Sequence, residues 1–150
     1  MKKITKILSL LLIFVLALGL VGCSSFGKIE RELKDDGYTL LTEKLDGQKA
    51  YEEVDGVAKV YTFTKTETVA ILPVTCTVYV IEFKTTEKMI EFFNESETLK
   101  GFVKDLSKND TVKEMHAKLE KAGLACDNCL IIALGIDADD VYEEIADLND

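Results

Sequence analysis

The sequence predicts an α+β fold, a two-layer sandwich in which helices pack on a mainly antiparallel sheet of about four strands. Strand patterns precede helix patterns, and one more strand and helix end the chain, an order typical of α+β domains. The segment from Val74 to Lys84 carries apolar residues on both faces, which indicates a central strand. Only one proline occurs, and no linker rich in glycine and serine follows Ser25. We therefore expect a single domain over residues 29–150.

The first elements of this domain are short. A helix is predicted from Ile29 to Asp36, closed by Gly37 in the left-handed conformation. A strand from Tyr38 to Leu45 and a helical turn from Gln48 to Val54 follow, separated by turn residues.

Two strands are predicted next, and alternation assigns their faces. The first, Val57 to Lys65, places Val57, Tyr61 and Phe63 on one face. The stretch Thr68 to Val74 is ambiguous, because Pro73 argues against a central strand. In the strand from Val74 to Lys84, the two faces carry Val74, Cys76, Val78 and Val80 on one side and Tyr79, Ile81 and Phe83 on the other.

Apolar residues at helical spacing then predict two helices. Their buried faces would consist of Met89, Ile90, Phe92 and Phe93 in the first, and Leu99, Phe102, Val103 and Leu106 in the second.

A third helix in this half should start at Val112, because Thr111 and Glu114 match a capping box. Its buried side would be Val112, Met115, Leu119 and Ala122, with Gly123 at its end. Leu130 to Leu134 predicts a buried strand. A last helix capped by Asp137 or Asp139 would bury Val141, Ile145 and Leu148.

The N-terminus has the pattern of an export signal. Lys2, Lys3 and Lys6 precede an apolar run from Ile7 to Val21, and a basic start followed by a short apolar stretch is typical of secretory signals. The run is shorter than the roughly 20 residues of a membrane span.

The end of this run, Leu20-Val21-Gly22-Cys23, resembles the lipobox of bacterial lipoproteins. The resemblance implies a signal peptide over residues 1–22, cleavage between Gly22 and Cys23, and acyl chains such as palmitate on the Cys23 thiol. It also implies a location at the cell membrane, on the extracytoplasmic face, with residues 23–28 as a short lipidated tether.

The charge limits the partners. The chain has a net charge of −9, and removing residues 1–22 would take three lysines and no acid, leaving −12. Nucleic acid is disfavoured, because its binding needs a cationic surface. The expected partners are the membrane, through the lipid on Cys23, and an envelope protein.

Cys126 and Cys129 are the most suggestive internal motif. Such a pair outside the cell can be a disulfide, a redox pair or half of a metal site. A redox pair is disfavoured, because these cysteines follow a helix end at Gly123 and enclose Asp127. We favour a structural disulfide, with two reduced thiols as the alternative. A zinc site would require Cys76 and His116 to join the pair.

Catalytic motifs are sparse. The single histidine excludes HExxH zinc chemistry, and no GxGxxG, GxxxxGK[ST] or GxSxG occurs. The carboxylates near the C-terminus lack an EF-hand's central glycine, so calcium is a weak alternative there. We expect a non-catalytic binding or accessory domain that needs no cofactor. The alternatives are a thiol or metal protein built on Cys126 and Cys129, and a small carboxylate-based envelope hydrolase.

Overall fold

The computed structural model describes residues 25–150 and confirms an α+β fold. Within these residues, six helices accompany one five-stranded sheet, in which every pairing is antiparallel. The helices are α1 (Ser25–Asp35), α2 (Asp46–Glu52), α3 (Thr86–Glu95), α4 (Glu97–Lys100), α5 (Val112–Lys121) and α6 (Ala138–Leu148). The strands are β1 (Thr39–Leu40), β2 (Val57–Val69), β3 (Leu72–Phe83), β4 (Ala125–Cys126) and β5 (Cys129–Leu134), in the order β1-β2-β3-β5-β4.

Strand β3 lies at the centre of the sheet, and both of its predicted faces are confirmed. Cys76, Val78 and Val80 belong to one buried cluster, together with side chains of α1 and α6. Tyr79, Ile81 and Phe83 belong to a second cluster, together with side chains of α3 and α5. Buried helical side chains therefore lie on both faces of the sheet, and the two-layer sandwich is not confirmed.

The predicted face of β2 is wrong at one residue. Tyr61 and Phe63 lie with the α1 side chains, whereas Val57 packs against the cluster on the other face. The pairing of β2 with β3 shifts register between Val57 and Lys59. An extra residue in one strand reverses the alternation beyond it, which explains the exchange of faces.

Pro73 lies inside β3, in a stretch that the sequence left ambiguous. It pairs with Thr68, one step from the two-residue turn that joins Val69 to Leu72. Pairs in a hairpin alternate between hydrogen-bonded and non-hydrogen-bonded, so the proline nitrogen faces away from β2. Strand β5 stops at the partner of Thr77 and does not reach Pro73. Proline is tolerated on such an edge because it removes no ladder bond.

Helix α1 begins earlier than predicted. Its described part starts at Ser25, not near Ile29, so part of the predicted tether is helical. Ile29 and Leu33 are fully buried. Gly37 ends the helix with a φ of 95°, as the left-handed cap requires. The strand predicted after it is reduced to the two residues of β1.

The long helix predicted from Leu99 to Leu106 is wrong. Only the single turn of α4 forms, capped by the Ser96 hydroxyl. Gly101 follows that turn, and Asp105 has a φ of 66°, which a right-handed helix does not allow. Phe102 is consequently 54% exposed rather than buried.

The capping box of α5 is confirmed. The Thr111 hydroxyl accepts a hydrogen bond from the Glu114 N–H at 3.1 Å, and the Glu114 carboxylate accepts from the Thr111 N–H at 3.0 Å. Val112, however, is exposed. Asp137 stands before α6, but its side chain makes no capping bond, because its carboxylate accepts from Tyr38 and Lys65 instead.

Candidate functional site

The predicted cleavage and lipidation residues, Gly22 and Cys23, lie outside the described residues. The structure nevertheless places the chain that follows them, because α1 begins at Ser25. Among residues 25–150, no helix is both long and apolar enough to cross a membrane.

The structure brings Cys126 and Cys129 together as direct cross-strand partners of β4 and β5. Asp127 and Asn128 form the turn between them, and Asp127 has a φ of 51°. Both cysteines are buried, and both are free thiols, as is Cys76. The predicted disulfide therefore has its partners in place but remains a prediction.

The two thiols are poor nucleophiles in this environment. Burial raises the pKa of Cys126, and nearby Asp127 adds to the effect. Burial and nearby Glu82 raise the pKa of Cys129 to about 12. Reactive cysteines have lowered pKa values, because the thiolate is the attacking species. The geometry therefore gives no support to a redox pair.

His116 lies beside this turn but contacts its backbone. Its Nε2 atom is 2.7 Å from the carbonyl oxygen of Asp127, and its Nδ1 atom is 3.2 Å from the Glu120 carboxylate. The Asp127 carboxylate in turn accepts a hydrogen bond from the Ser25 hydroxyl at the start of α1. His116 thus ties α5 to the turn and, through it, to α1.

The zinc alternative is not supported by this arrangement. Within the part of the chain that the structure describes, no three histidine, cysteine, aspartate or glutamate side chains are grouped so as to hold a metal ion. The same finding applies to the carboxylates of α6 that suggested calcium.

Those carboxylates line a polar cavity of about 400 Å³. Its lining residues are Asp36, Lys65, Asp137, Asp140, Glu143, Glu144 and Asp147. The Tyr38 hydroxyl and the Lys65 ammonium each donate to Asp137 at 3.1 Å. Burial raises the pKa of Glu144 to about 7, together with the neighbouring Asp36, which is also its side-chain hydrogen-bond partner, and Glu32.

A second surface feature is the far part of the hairpin formed by β2 and β3. Towards the hairpin tip, β1 ends at Thr39, which pairs with Thr64, and β5 ends at Leu134, which pairs with Thr77. Within residues 25–150, the two strands beyond these positions pair only with each other. Lys65 still bonds to Asp137 and Cys76 is still buried, so residues 66–75 are the part of the hairpin that projects.

The tip of this projecting hairpin is apolar and exposed. Ile71 is 90% exposed, Leu72 66% and Val69 47%. The sequence from Thr68 to Ile81 contains no aspartate, glutamate, lysine, arginine or histidine. Adjacent exposed apolar side chains in an otherwise acidic domain form a candidate interaction surface.

The hairpin tip lies at the opposite end of the sheet from the start of α1. At the start of α1, Phe26 stacks on Tyr61, and Tyr61 pairs with Val80 of β3. The tip pair, Val69 and Leu72, is eight residues further along both strands. At about 3.4 Å per residue, the two ends are separated by about 27 Å.

The sequence did not single out this tip, although one signal was present. A charge-free stretch of fourteen residues, from Thr68 to Ile81, is unusual in a chain in which 30% of residues are charged. Only its second half is buried, so the first half has no structural reason to lack charge.

Comparison with protein families, with curated proteins and with solved structures finds no significant match to this chain.

Proposed function

We propose that this protein is a membrane-anchored extracytoplasmic lipoprotein, a non-catalytic accessory domain that binds an envelope protein through the tip of the β2–β3 hairpin. The observation that carries the proposal is the placement of an exposed apolar tip at the end of the sheet opposite to the start of α1. The lipobox-like residues Leu20 to Cys23 supply the anchor.

The anchor sets the orientation of the domain. Only Ser24 separates Cys23 from α1, and two residues span about 7 Å at most. A lipid on Cys23 therefore holds the start of α1 against the membrane surface. Two or more acyl chains make such an attachment stable. In this orientation the hairpin tip points away from the membrane.

A protein partner fits this tip better than the membrane to which the domain is attached. The tip is directed about 27 Å beyond the anchored end of the sheet, out of reach of the lipid. Pro73 on the outer edge of β3 disfavours pairing with another strand, so the contact is made by side chains. We expect the partner to offer an apolar recess for Ile71 and Leu72, with basic residues around it to match the acidic domain.

The anchor is tested with Cys23→Ala. Wild-type cells should incorporate palmitate label into the protein, release residues 1–22, and retain the product in the membrane fraction. The variant should accumulate as unlabelled precursor, because the acylated thiol is missing. Labelling and cleavage of the variant at the same position would contradict the anchor.

The tip is tested by placing a photo-crosslinking amino acid at position 71 of the full chain in intact cells. We expect one discrete protein adduct, which Leu72→Asp abolishes. The matched control is Val112→Asp, which changes an exposed valine at the start of α5 and should leave the adduct intact. A lipid adduct, or an adduct with a second copy of the chain, would refute the envelope-protein partner.

A carboxylate hydrolase is a second candidate, favoured by one observation. The pKa of Glu144 is raised to about 7 by burial and by the adjacent Asp36, whereas Asp137 in the same cavity is salt-bridged to Lys65. A protonated and an ionised carboxyl group in one cavity are the parts of acid-assisted glycoside cleavage. Nitrophenyl glycosides should then be hydrolysed by the wild type and not by Glu144→Gln. Glu87→Gln, an exposed change outside this cavity, is the control.

A further inference from the structure

A second cavity, of about 570 Å³, opens on the face of the sheet that carries α3 and α4. Its volume lies within the range of small-molecule sites, roughly 300–1,000 Å³. The floor is formed by β5, through Ile132, Ala133 and Leu134. No other feature described above accounts for it, because the hairpin tip and the acidic cavity use different residues.

Four aromatic side chains from separate segments line this cavity. They are Tyr51 of α2, Phe92 of α3, Phe102 after α4, and Tyr142 of α6. Tyr51 and Phe92 meet edge to face, with ring centroids 6.3 Å apart and planes at 84°. Phe102 and Tyr142 are tilted by 46°, with centroids 6.1 Å apart. Two pairs of contacting rings from four separate segments thus line one cavity.

The sheet holds Tyr142 in place. Strand β4 pairs with β5 only as far as Leu130, and the Ile131 N–H then donates to the Leu124 carbonyl at 2.8 Å. The Tyr142 hydroxyl accepts a hydrogen bond from the Ala133 N–H at 2.9 Å. A side chain held by a hydrogen bond to the backbone loses little further conformational freedom when a ligand binds.

The charge of the lining is one-sided. Among the described residues, Glu95 is the one charged residue that lines the cavity, and no lysine, arginine or histidine does. The faces of aromatic rings are electron-rich and attract cations. An anionic ligand would be repelled by Glu95 and by the acidic domain, whereas an organic cation would be attracted by both.

We infer that this aromatic cavity is a binding site for an organic cation, a quaternary or protonated amine attached to an apolar group. The ammonium group lies among the aromatic rings near Glu95, and the apolar group lies along Ile132 and Leu134. Phe102, which is 54% exposed, covers the ligand from the solvent side.

The probe is benzyltrimethylammonium, titrated by calorimetry into the full chain in a non-ionic detergent. The near-isosteric neutral compound 2-methyl-1-phenylpropan-2-ol and the anion benzylsulfonate serve as comparisons. We expect the cation to bind at least about threefold more tightly than the neutral compound, the range of an exposed cation–aromatic contact, and the anion not to bind. Methyl NMR signals of Ile132 and Leu134 should shift with the cation.

Two variants and two controls locate the site. Phe102→Ala should weaken cation binding about threefold or more. Glu95→Gln should weaken cation binding about threefold while leaving the neutral compound unchanged. The controls, Val112→Ala and Glu87→Gln, change exposed side chains outside the cavity and should have no effect.

Three results would overturn the inference. Equal affinity for the cation and the neutral compound would show an apolar cavity without charge selectivity. Absence of cation binding would remove the site. Sedimentation showing a dimer that Phe102→Ala dissociates would show that a second copy covers the cavity instead.

Discussion

Phe26 of α1 stacks on Tyr61 of β2, with ring centroids 3.7 Å apart and planes 16° apart. This contact fixes the first turn of α1 to the sheet, directly after the predicted lipid attachment. Phe26→Ala should lower the free energy of unfolding by about 1–2 kcal/mol, because it removes a stacked and partly buried ring. Urea denaturation of the chain from Ser24 measures this. Lys28→Ala, an exposed change in the same turn, is the control, and equal midpoints for the two variants would refute the role of the stack.

The capping box of α5 leads to a prediction at Thr111. Thr111→Ala removes the hydroxyl that accepts the Glu114 N–H and should lower stability by about 1 kcal/mol. Thr111→Ser keeps the hydroxyl and should restore most of the loss. Chemical denaturation midpoints of the three proteins test this, and an alanine variant as stable as the serine variant would contradict it.

The cysteine pair is predicted to form a disulfide when the protein is exported. Cys126 and Cys129 are direct cross-strand partners beside a two-residue turn, where Cα atoms are about 5.5 Å apart, within the range that a disulfide bridges. The bond would close a loop of four residues and add only about 2 kcal/mol, less any strain. Peptide mapping under non-reducing conditions should find this pair linked and Cys76 free. A linkage to Cys76, or no linkage in the exported protein, would contradict the prediction.

Glu144 should make stability depend on pH. Burial, with the neighbouring Asp36, Glu32 and Asp137, raises its pKa from 4.5 to about 7, so the folded state holds this proton more tightly than the unfolded state. The resulting stabilisation is complete below about pH 4.5 and is lost as the pH rises through about 7. Glu144→Gln should therefore match the wild type at pH 4.5 and exceed it in stability at pH 8. The exposed neighbour Glu143→Gln should not show this difference, and parallel pH curves for wild type and Glu144→Gln would refute it.

Local patterns predicted much of the fold. The alternation in β3 assigned both of its faces, and the Thr111–Glu114 spacing located the start of α5. Gly37 marked the end of α1. In each case the physical cause lies within a few residues, in side-chain period, capping bonds or backbone conformation, so the sequence alone contains it.

Three sequence predictions failed, for different physical reasons. The helical spacing of Leu99, Phe102 and Leu106 did not produce a helix. The register shift near Val57 moved its side chain to the other face. Asp137 was expected to cap α6, but its carboxylate accepts hydrogen bonds from Tyr38 and Lys65 instead. The last outcome depends on partners that are remote along the chain, whereas the first two are local departures of the backbone, at Asp105 and near Val57.

The sequence by itself determined an acidic chain with a lipobox-like N-terminus, an α+β succession of elements and a central apolar strand. Only the tertiary structure decided which apolar residues remain uncovered. Ile71 and Phe102 are as apolar as Ile81 and Phe93, and no local pattern distinguishes them. They are exposed because β1 and β5 end before the hairpin does, and because the chain after α4 does not continue as a helix. Burial depends on what packs against a residue, and that is settled only when the whole chain folds.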